Sequence, residues 1–345
     1  MGHIFTEVEE GVFRAPDADA PGGYRYRITN TKLRALGEPD ENSLPVGLAK
    51  YPDIIDDCHV LLPHVEIVYD ESDHVRWCHL FHDMEKTVPG RVAQEVADGF
   101  AWIRKIGGAE RIPTLEMMNK DITAVSGFKL VQVMGLVPHN EFFKLLMDGK
   151  FPVTLSIRRE NEFSYTSFPD IFHDLAGHAP MFLNEIFCDF VRKIGALGWK
   201  FRGDSKLQGA VSKIYWYTIE FGLKRAAPEQ KQSCIAYGAG IVSSVAETQD
   251  SVESEYAADF DEQGNRSGGK RAINRLPFDL RRVLHSHYDY AQPQELYFVI
   301  DDYVQLSGLF DGDLEDVIRT ETRAGGTVPQ GTLLPTDKVI PTFYA

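Results

Sequence analysis

Two histidines and one glutamate are the residues of this sequence best placed to do chemistry. In Pro169-Asp170-Ile171-Phe172-His173-Asp174-Leu175-Ala176-Gly177-His178-Ala179-Pro180, His173 and His178 stand five residues apart among apolar neighbours and between two prolines. On an ideal α-helix five residues turn through about 140°, so the pair would not share a face as the i, i+4 pair of a zinc protease does. They converge only where the helix loosens or stops, and Gly177 followed by Pro180 is a helix-stop pattern. Glu220 is the only charge in Ile214-Tyr215-Trp216-Tyr217-Thr218-Ile219-Glu220-Phe221-Gly222-Leu223. A carboxylate in such a segment is costly to bury unless it is paired or bound to a metal. Trp216, one turn earlier, puts an indole beside whatever Glu220 binds. Two imidazoles and one carboxylate make a facial triad with three open positions, which suits non-haem Fe(II) acting on oxygen. Zinc in a His2Glu set is the competing metal, and residue types alone leave that choice open. Taken singly, the histidines could be a satisfied core pair and Glu220 could pair with Lys213 or an arginine; occurring together, they point to a metal.

Other polar groupings carry less. His79 with His82, His285-Ser286-His287, and Cys58-His59 with Cys78-His79 lack a metal-site spacing and are expected to be structural or solvent-facing. Gly238-Ala239-Gly240 starts like a dinucleotide loop, but Ser243 stands where the third glycine is needed and no strand of a parallel βαβ unit is expected before it. His64-Val65-Glu66 and His139-Asn140-Glu141 each fit the His-x-acid half-motif of 2-oxoglutarate-dependent Fe(II) oxygenases, without a convincing distal histidine and arginine. A binding module with a structural metal is a third reading, and it requires a closed four-ligand site.

The elements that must position these residues are mostly helical. Val92, Val96, Phe100 and Ile103 recur at helical spacing between Pro89-Gly90 and Gly107-Gly108. Further helices are predicted over 140–147, 183–197, 208–223 and 241–256, and short strands over 128–133 and 151–158. Residues 1 to about 50 read as an irregular wrapping arm, 259–270 as a surface loop and the last twenty-odd residues as an irregular tail. The expectation is one mainly α domain with minor β, and no sustained heptad predicts a coiled-coil oligomer, so a monomer or weak oligomer is expected.

The chain has 345 residues, and 36 Lys plus Arg against 51 Asp plus Glu give a formal charge of −15. Such an acidic balance argues against a nucleic-acid partner. No apolar run approaches the roughly 20 residues that span a bilayer, and the N-terminus turns acidic where a signal peptide would be apolar. No membrane partner and a cytoplasmic location are therefore expected. Four cysteines without a Cys-x-x-Cys make neither a disulfide framework nor a zinc ribbon.

Three blocks in order, residues 169–180, Tyr215-Trp216-Tyr217-Thr218-Ile219-Glu220-Phe221-Gly222 and Ala236-Tyr237-Gly238-Ala239-Gly240-Ile241-Val242-Ser243-Ser244, resemble the signature segments of the pterin-dependent aromatic amino acid hydroxylases, and in particular bacterial phenylalanine 4-hydroxylases. Similarity extends from about residue 75 to 305. It implies a helical basket around a non-haem iron site as a catalytic domain over 75–305, with an irregular N-terminal arm over 1–74 and a C-terminal extension over 306–345.

Carried over position by position, the resemblance implies that His173, His178 and Glu220 bind Fe(II), and that Tyr215, Trp216 and Glu220 are the catalytic set. Arg158 would clamp the substrate carboxylate, Asp170 would orient that arginine, Thr166 and Ser243 would contact the amino acid backbone or a ligating histidine, and Trp216 would wall the aromatic pocket. Gly135, Leu136, Val137, Phe142 and Asp174 would hold tetrahydrobiopterin or a related tetrahydropterin. Pro138-His139 and Pro152 depart from the pattern of animal members near the pterin loop and pocket. The reaction implied is ring hydroxylation of an aromatic amino acid by O2 and reduced pterin, with L-phenylalanine to L-tyrosine preferred because Trp216 favours a single six-membered ring. Hydroxylation of phenylalanine at position 3 and of tryptophan at position 5 are the alternatives within the family.

Overall fold

In the computed structural model, which describes residues 6–9, 12–15, 24–28, 56–62 and 65–344 apart from 135–136, 164–165, 167–168, 261–265, 268 and 291, helices make up most of the regular structure. The four strands β1 (Thr6–Glu9), β2 (Val12–Ala15), β3 (Tyr24–Ile28) and β4 (Val65–Ile67) form an antiparallel sheet in that order. The arm expected to be irregular thus pairs with itself. Its strands are of three to five residues, too short for a period-2 pattern to stand out among prolines and glycines.

Helix α1 (Glu71–Thr87) follows, with Asp70 accepting from the Ser72 and Asp73 amides in a capping box. Residue 75 lies inside it, so the border expected at 74/75 cuts a helix. Helices α2 (Gln94–Lys105) and α3 (Leu115–Ser126) lead to strand β5 (Lys129–Gln132), which pairs in parallel with β6 (Lys150–Val153) across the crossover helix α4 (His139–Met147). The long helix α5 (Glu185–Lys200), capped by Asn184, packs on α4 and on α6 (Ser205–Tyr215). The helix expected over 208–223 therefore stops early, and Leu223 belongs to strand β7 (Gly222–Arg225).

Strand β7 lies between β8 (Cys234–Ala236), antiparallel to it, and a later strand that runs parallel to it. The helix expected over 241–256 is two, α7 (Ala239–Val242) and α8 (Val245–Glu253), separated where the Ser244 hydroxyl caps the second. The expected loop at 259–270 carries a two-residue pairing of β9 (Asp259–Phe260) with β10 (Arg266–Ser267). Strand β11 (Asn274–Pro277), helix α9 (Leu280–His285), strand β12 (Leu296–Ile300), and helices α10 (Tyr303–Ser307) and α11 (Leu314–Ala324) complete the chain, with sheet order β11-β12-β7-β8.

One buried apolar cluster runs from Trp77 to Ile340 and surrounds the histidine segment with Trp77, Phe100, Phe172 and Phe182. Each such ring contributes on the order of 1.5–3 kcal/mol by leaving water. Leu314, Ile318 and Ile340 are part of the same cluster, so residues beyond 305 are packed core as well as tail. The border expected at 305/306 falls inside α10. The expected class, mainly helical with small sheets, is the observed one. No helix of the described residues is long and apolar enough to cross a membrane.

Candidate functional site

His173 and His178 meet because the segment His173–His178 is a π-turn, in which the Ala179 amide donates to the Asp174 carbonyl five residues back. In that wider turn residues i and i+5 become neighbours on one face, which the α-helical rotation forbids. Glu220 ends a second π-turn, Trp216–Glu220, closed by the Phe221 amide donating to the Trp216 carbonyl at 2.8 Å. Gly177 does not stop the helix as expected. A Cβ there would lie 2.8 Å from the Ala239 carbonyl oxygen, and one on Gly238 would lie 2.4 Å from the Glu220 carbonyl oxygen. The glycines let α7 press against both π-turns at once.

His178 Nε2 is 3.1 Å from His173 Nε2 and 3.1 Å from Glu220 Oε1, and His173 Nε2 is 3.4 Å from Glu220 Oε2. Ligand atoms about 2.1 Å from one metal and at right angles to each other lie about 3.0 Å apart, so the two imidazole nitrogens and the Glu220 carboxylate are close enough together to share one metal ion. Among the described residues this is the one group of three or more His, Cys, Asp or Glu side chains able to hold a metal ion. Burial keeps the His173 imidazole down at about 4, hence neutral. Burial alone would raise the Glu220 carboxyl, but the two imidazoles and hydrogen bonds from His178 and Tyr215 outweigh it and hold it at about 2. A lone pair on each imidazole and an ionised carboxylate are the states a metal needs. His173 Nδ1 lies 3.0 Å from Ser243 Oγ; donated to that hydroxyl, its proton leaves Nε2 free for a metal. Lys213, the alternative partner for Glu220, donates instead to the Leu284 carbonyl at 2.7 Å.

Arg158 is 4% exposed and fully framed, so it is no surface cation, whereas neighbouring Arg159 is exposed. Its Nε and Nη2 donate to the two oxygens of Asp170 at 3.0 and 2.7 Å, and Nη1 to the Ser243 carbonyl at 3.0 Å. Three of the five guanidinium N–H groups are thereby used, and one on each terminal nitrogen remains for a ligand carboxylate. Asp170 also accepts from the His173 amide at 2.9 Å, which ties this arginine to the histidine turn. Thr166 is half-buried and its immediate neighbours lie outside the described residues.

On the other side, the Trp216 indole stacks on Tyr288 with ring centres 4.3 Å apart and lies 4.6 Å from Phe221. The Tyr215 hydroxyl interacts electrostatically with Glu220, and its ring meets Phe142 edge-on at 5.2 Å, so Phe142 reaches the cluster through Tyr215. Asp174 is buried, and its Oδ2 accepts from the Thr154 amide at 2.6 Å and hydroxyl at 2.8 Å; burial nevertheless pushes its carboxyl up to about 7. Val137 packs on the small cluster of Cys58, Val131, Val133 and Leu145, while Gly135 and Leu136 lie outside the described residues. Thr154 and Tyr288 join the site without having been singled out in sequence, and Gln294, which opens a segment (294–299) of weaker family similarity, joins it with no role read for it beforehand.

The groupings set aside in sequence stay apart. His79 pairs with Asp83, His285 with Glu321, His139 is exposed, and the four cysteines are free thiols. His64 lies outside the described residues. The strand that precedes Gly238, β8, is an antiparallel edge strand and not part of a parallel βαβ unit, and the glycines face Glu220 and Phe221 where a phosphate would have to sit.

A sequence model described as "Biopterin-dependent aromatic amino acid hydroxylase" matches residues 58–310. The phenylalanine-4-hydroxylase of Chromobacterium violaceum is 33% identical over 277 residues, which are 79% of this chain and 84% of that one. Its crystal structure with bound iron(III) and 7,8-dihydrobiopterin is similar with a TM-score of 0.67 and 32% identity, covering 79% of this chain and 89% of that one. The iron- and phenylalanine-bound structure is similar with a TM-score of 0.68 and 30% identity, covering 83% and 95%.

Proposed function

Since the chain belongs to the biopterin-dependent aromatic amino acid hydroxylase family, we propose that its reaction is the hydroxylation of L-phenylalanine to L-tyrosine. The observation that carries the reading is Asp170, which binds the Arg158 guanidinium and the His173 amide at once and so fixes a carboxylate-binding cation beside a metal ligand. His173, His178 and Glu220 would hold iron through the two imidazole nitrogens and the carboxylate that lie together. When bound, the iron and a reduced pterin supply oxygen activation and two electrons; the protein supplies positions and a dry site.

Arg158 presents its two remaining N–H groups to the amino acid carboxylate, with the Ser243 carbonyl holding its Nη1, and Thr166 is the residue that would contact the amino acid backbone. Ser243 holds His173 in the tautomer that leaves Nε2 free. Trp216 is the wall against which a single six-membered ring fits, and Tyr215 steadies Glu220. A pterin would be held by Phe142, Val137 and Asp174 and, as the family resemblance implies, by Gly135 and Leu136. The catalytic unit runs from α1 through β12, with the C-terminal residues packed against it.

The test is turnover of phenylalanine by protein reconstituted with Fe(II), set against the same protein reconstituted with zinc, each with and without tetrahydropterin. Tyrosine formation that needs both Fe(II) and pterin is expected. Turnover that needs 2-oxoglutarate in place of pterin, or a zinc form equally active, would contradict the reading.

A further inference from the structure

Trp216 is held by two kinds of contact. Its stacking on Tyr288 and Phe221 is broad and tolerates sliding. Its Nε1–H donates to Gln294 Oε1 at 3.0 Å, and that bond has direction. Gln294 is 1% exposed, and its carboxamide has one orientation only, because Nε2 donates to the Asp289 and Gln292 carbonyls, each at 3.2 Å. With both amide hydrogens facing carbonyls, the oxygen faces the indole. The Gln294 amide in turn donates to the buried Glu247 carboxylate at 3.2 Å.

The loop that carries Tyr288 and Gln294 is gripped from outside by residues beyond 310, where the family match ends. Gln330 accepts from the Asp289 amide at 2.7 Å and donates to the Pro293 carbonyl at 3.3 Å, bridging the two flanks of that loop. Val328 adds two backbone bonds, accepting from the His287 amide at 2.9 Å and donating to the His285 carbonyl at 2.7 Å. Asp289 is thus held by Gln330 through its amide and holds Gln294 through its carbonyl.

We infer that Gln294 is a positioning residue for the Trp216 indole, that the C-terminal segment holds Gln294 in place through Gln330, and that the pair sets how large a ring the site accepts. The inference rests on Trp216 being a wall of the substrate pocket. Without the directed bond the indole keeps its stacking partners and gains freedom to swing, which makes room for a bicyclic ring and loosens the grip on a monocyclic one.

The test compares Gln294→Leu and Gln330→Ala, each alone and in a Trp216→Phe background. Two readouts are taken: kcat/KM for phenylalanine relative to tryptophan, and the indole emission assigned to Trp216 by difference from Trp216→Phe, recorded on protein without substrate. Losing one directed hydrogen bond changes an equilibrium by about tenfold. Gln294→Leu is therefore expected to lower the preference for phenylalanine about tenfold, mainly through KM, and to shift the Trp216 emission; Gln330→Ala moves both in the same direction by about threefold. Both effects disappear in the Trp216→Phe background. An unchanged emission in Gln294→Leu, or a change in preference that persists in Trp216→Phe, overturns the inference. Should Gln294→Leu not fold, the half-buried Gln330 carries the same two readouts and the same two contrary results. Wild-type turnover of phenylalanine is measured alongside: its absence contradicts the substrate reading, while the emission result judges the positioning role by itself.

Discussion

Arg158, Asp170, His173 and His178 fall between residues 158 and 178, and they are charged groups and imidazoles in a largely buried frame, Asp170 joining Arg158 to the His173 amide and His178 lying 3.1 Å from His173. Across the site, Trp216, Tyr288, Gln294 and Gln330 span more than a hundred residues and are neutral, held by ring stacking and single amide bonds. The first side is expensive to disturb, since each member leaves a buried charge or an unpaired imidazole behind. The second is cheap to adjust. Chemistry common to a family belongs on the first side, and selectivity among similar rings on the second.

The contrast can be broken most severely at Glu220, the member that joins the two sides. Glu220→Ala leaves two imidazoles, and iron content and turnover should both fall by more than the roughly 10–100-fold that loss of an outer partner costs. Metal analysis beside a turnover assay checks this; retained iron with retained activity would refute the ligand set.

Next in size is Asp170→Asn. It leaves Arg158 buried without its counter-ion, and a cost of about 3–5 kcal/mol in denaturant unfolding is expected. Burial would raise the Asp170 carboxyl, but the Arg158 charge and its hydrogen bonds hold it below the usual carboxylate range. Its stabilisation is therefore present above the ordinary aspartate value and lost as pH falls through the lower folded value. Unfolding followed from neutral to acid pH should show a gap between wild type and Asp170→Asn that closes on acidification; a gap independent of pH would mean the ion pair is not its source.

Ser243→Ala frees the His173 ring to take either tautomer and should cost about 10–100-fold in iron affinity, read by chelator competition. The smallest effect is expected behind the aromatic side. Burial pushes the Glu247 carboxyl up to about 7, against hydrogen bonds from Tyr297 at 2.5 Å and the Gln294 amide. A raised folded value stabilises below the unfolded value and loses that contribution as pH rises, so wild type should weaken between about pH 4.5 and 7 while Glu247→Gln does not. Parallel stability curves for the two proteins would sink that assignment.

The two sides also differ in how far the sequence revealed them. His173, His178 and Glu220 stood out because a histidine pair and a lone carboxylate sit in otherwise apolar runs. How they meet was legible in part: the five-residue spacing requires a loosened helix, which the π-turn at His173–His178 is, but nothing in the sequence announces the second π-turn or the packing of both on α7. Trp77, Leu80, Phe81 and Met84 behind the capping Asp70 have helical spacing, yet no helix is predicted there, and α1 overruns the border placed at 74/75. Gln294 opens a segment of weaker family similarity, but its role was not legible: its partner Trp216 is 78 residues away and only the fold brings them together. Likewise the C-terminal residues read as a tail because their prolines break helices, whereas Ile340 is buried and Asp337 pairs with Arg282.

The central claim, that a three-ligand iron site here hydroxylates a single-ring amino acid, is tested most directly by one competition. Iron-loaded protein and tetrahydropterin are incubated with phenylalanine, tyrosine and tryptophan together, and the products are identified by mass and retention. The account predicts tyrosine formed from phenylalanine as the main product. Hydroxytryptophan as the main product would contradict the assignment of the pocket, and no ring-hydroxylated product from any of the three would contradict the claim itself.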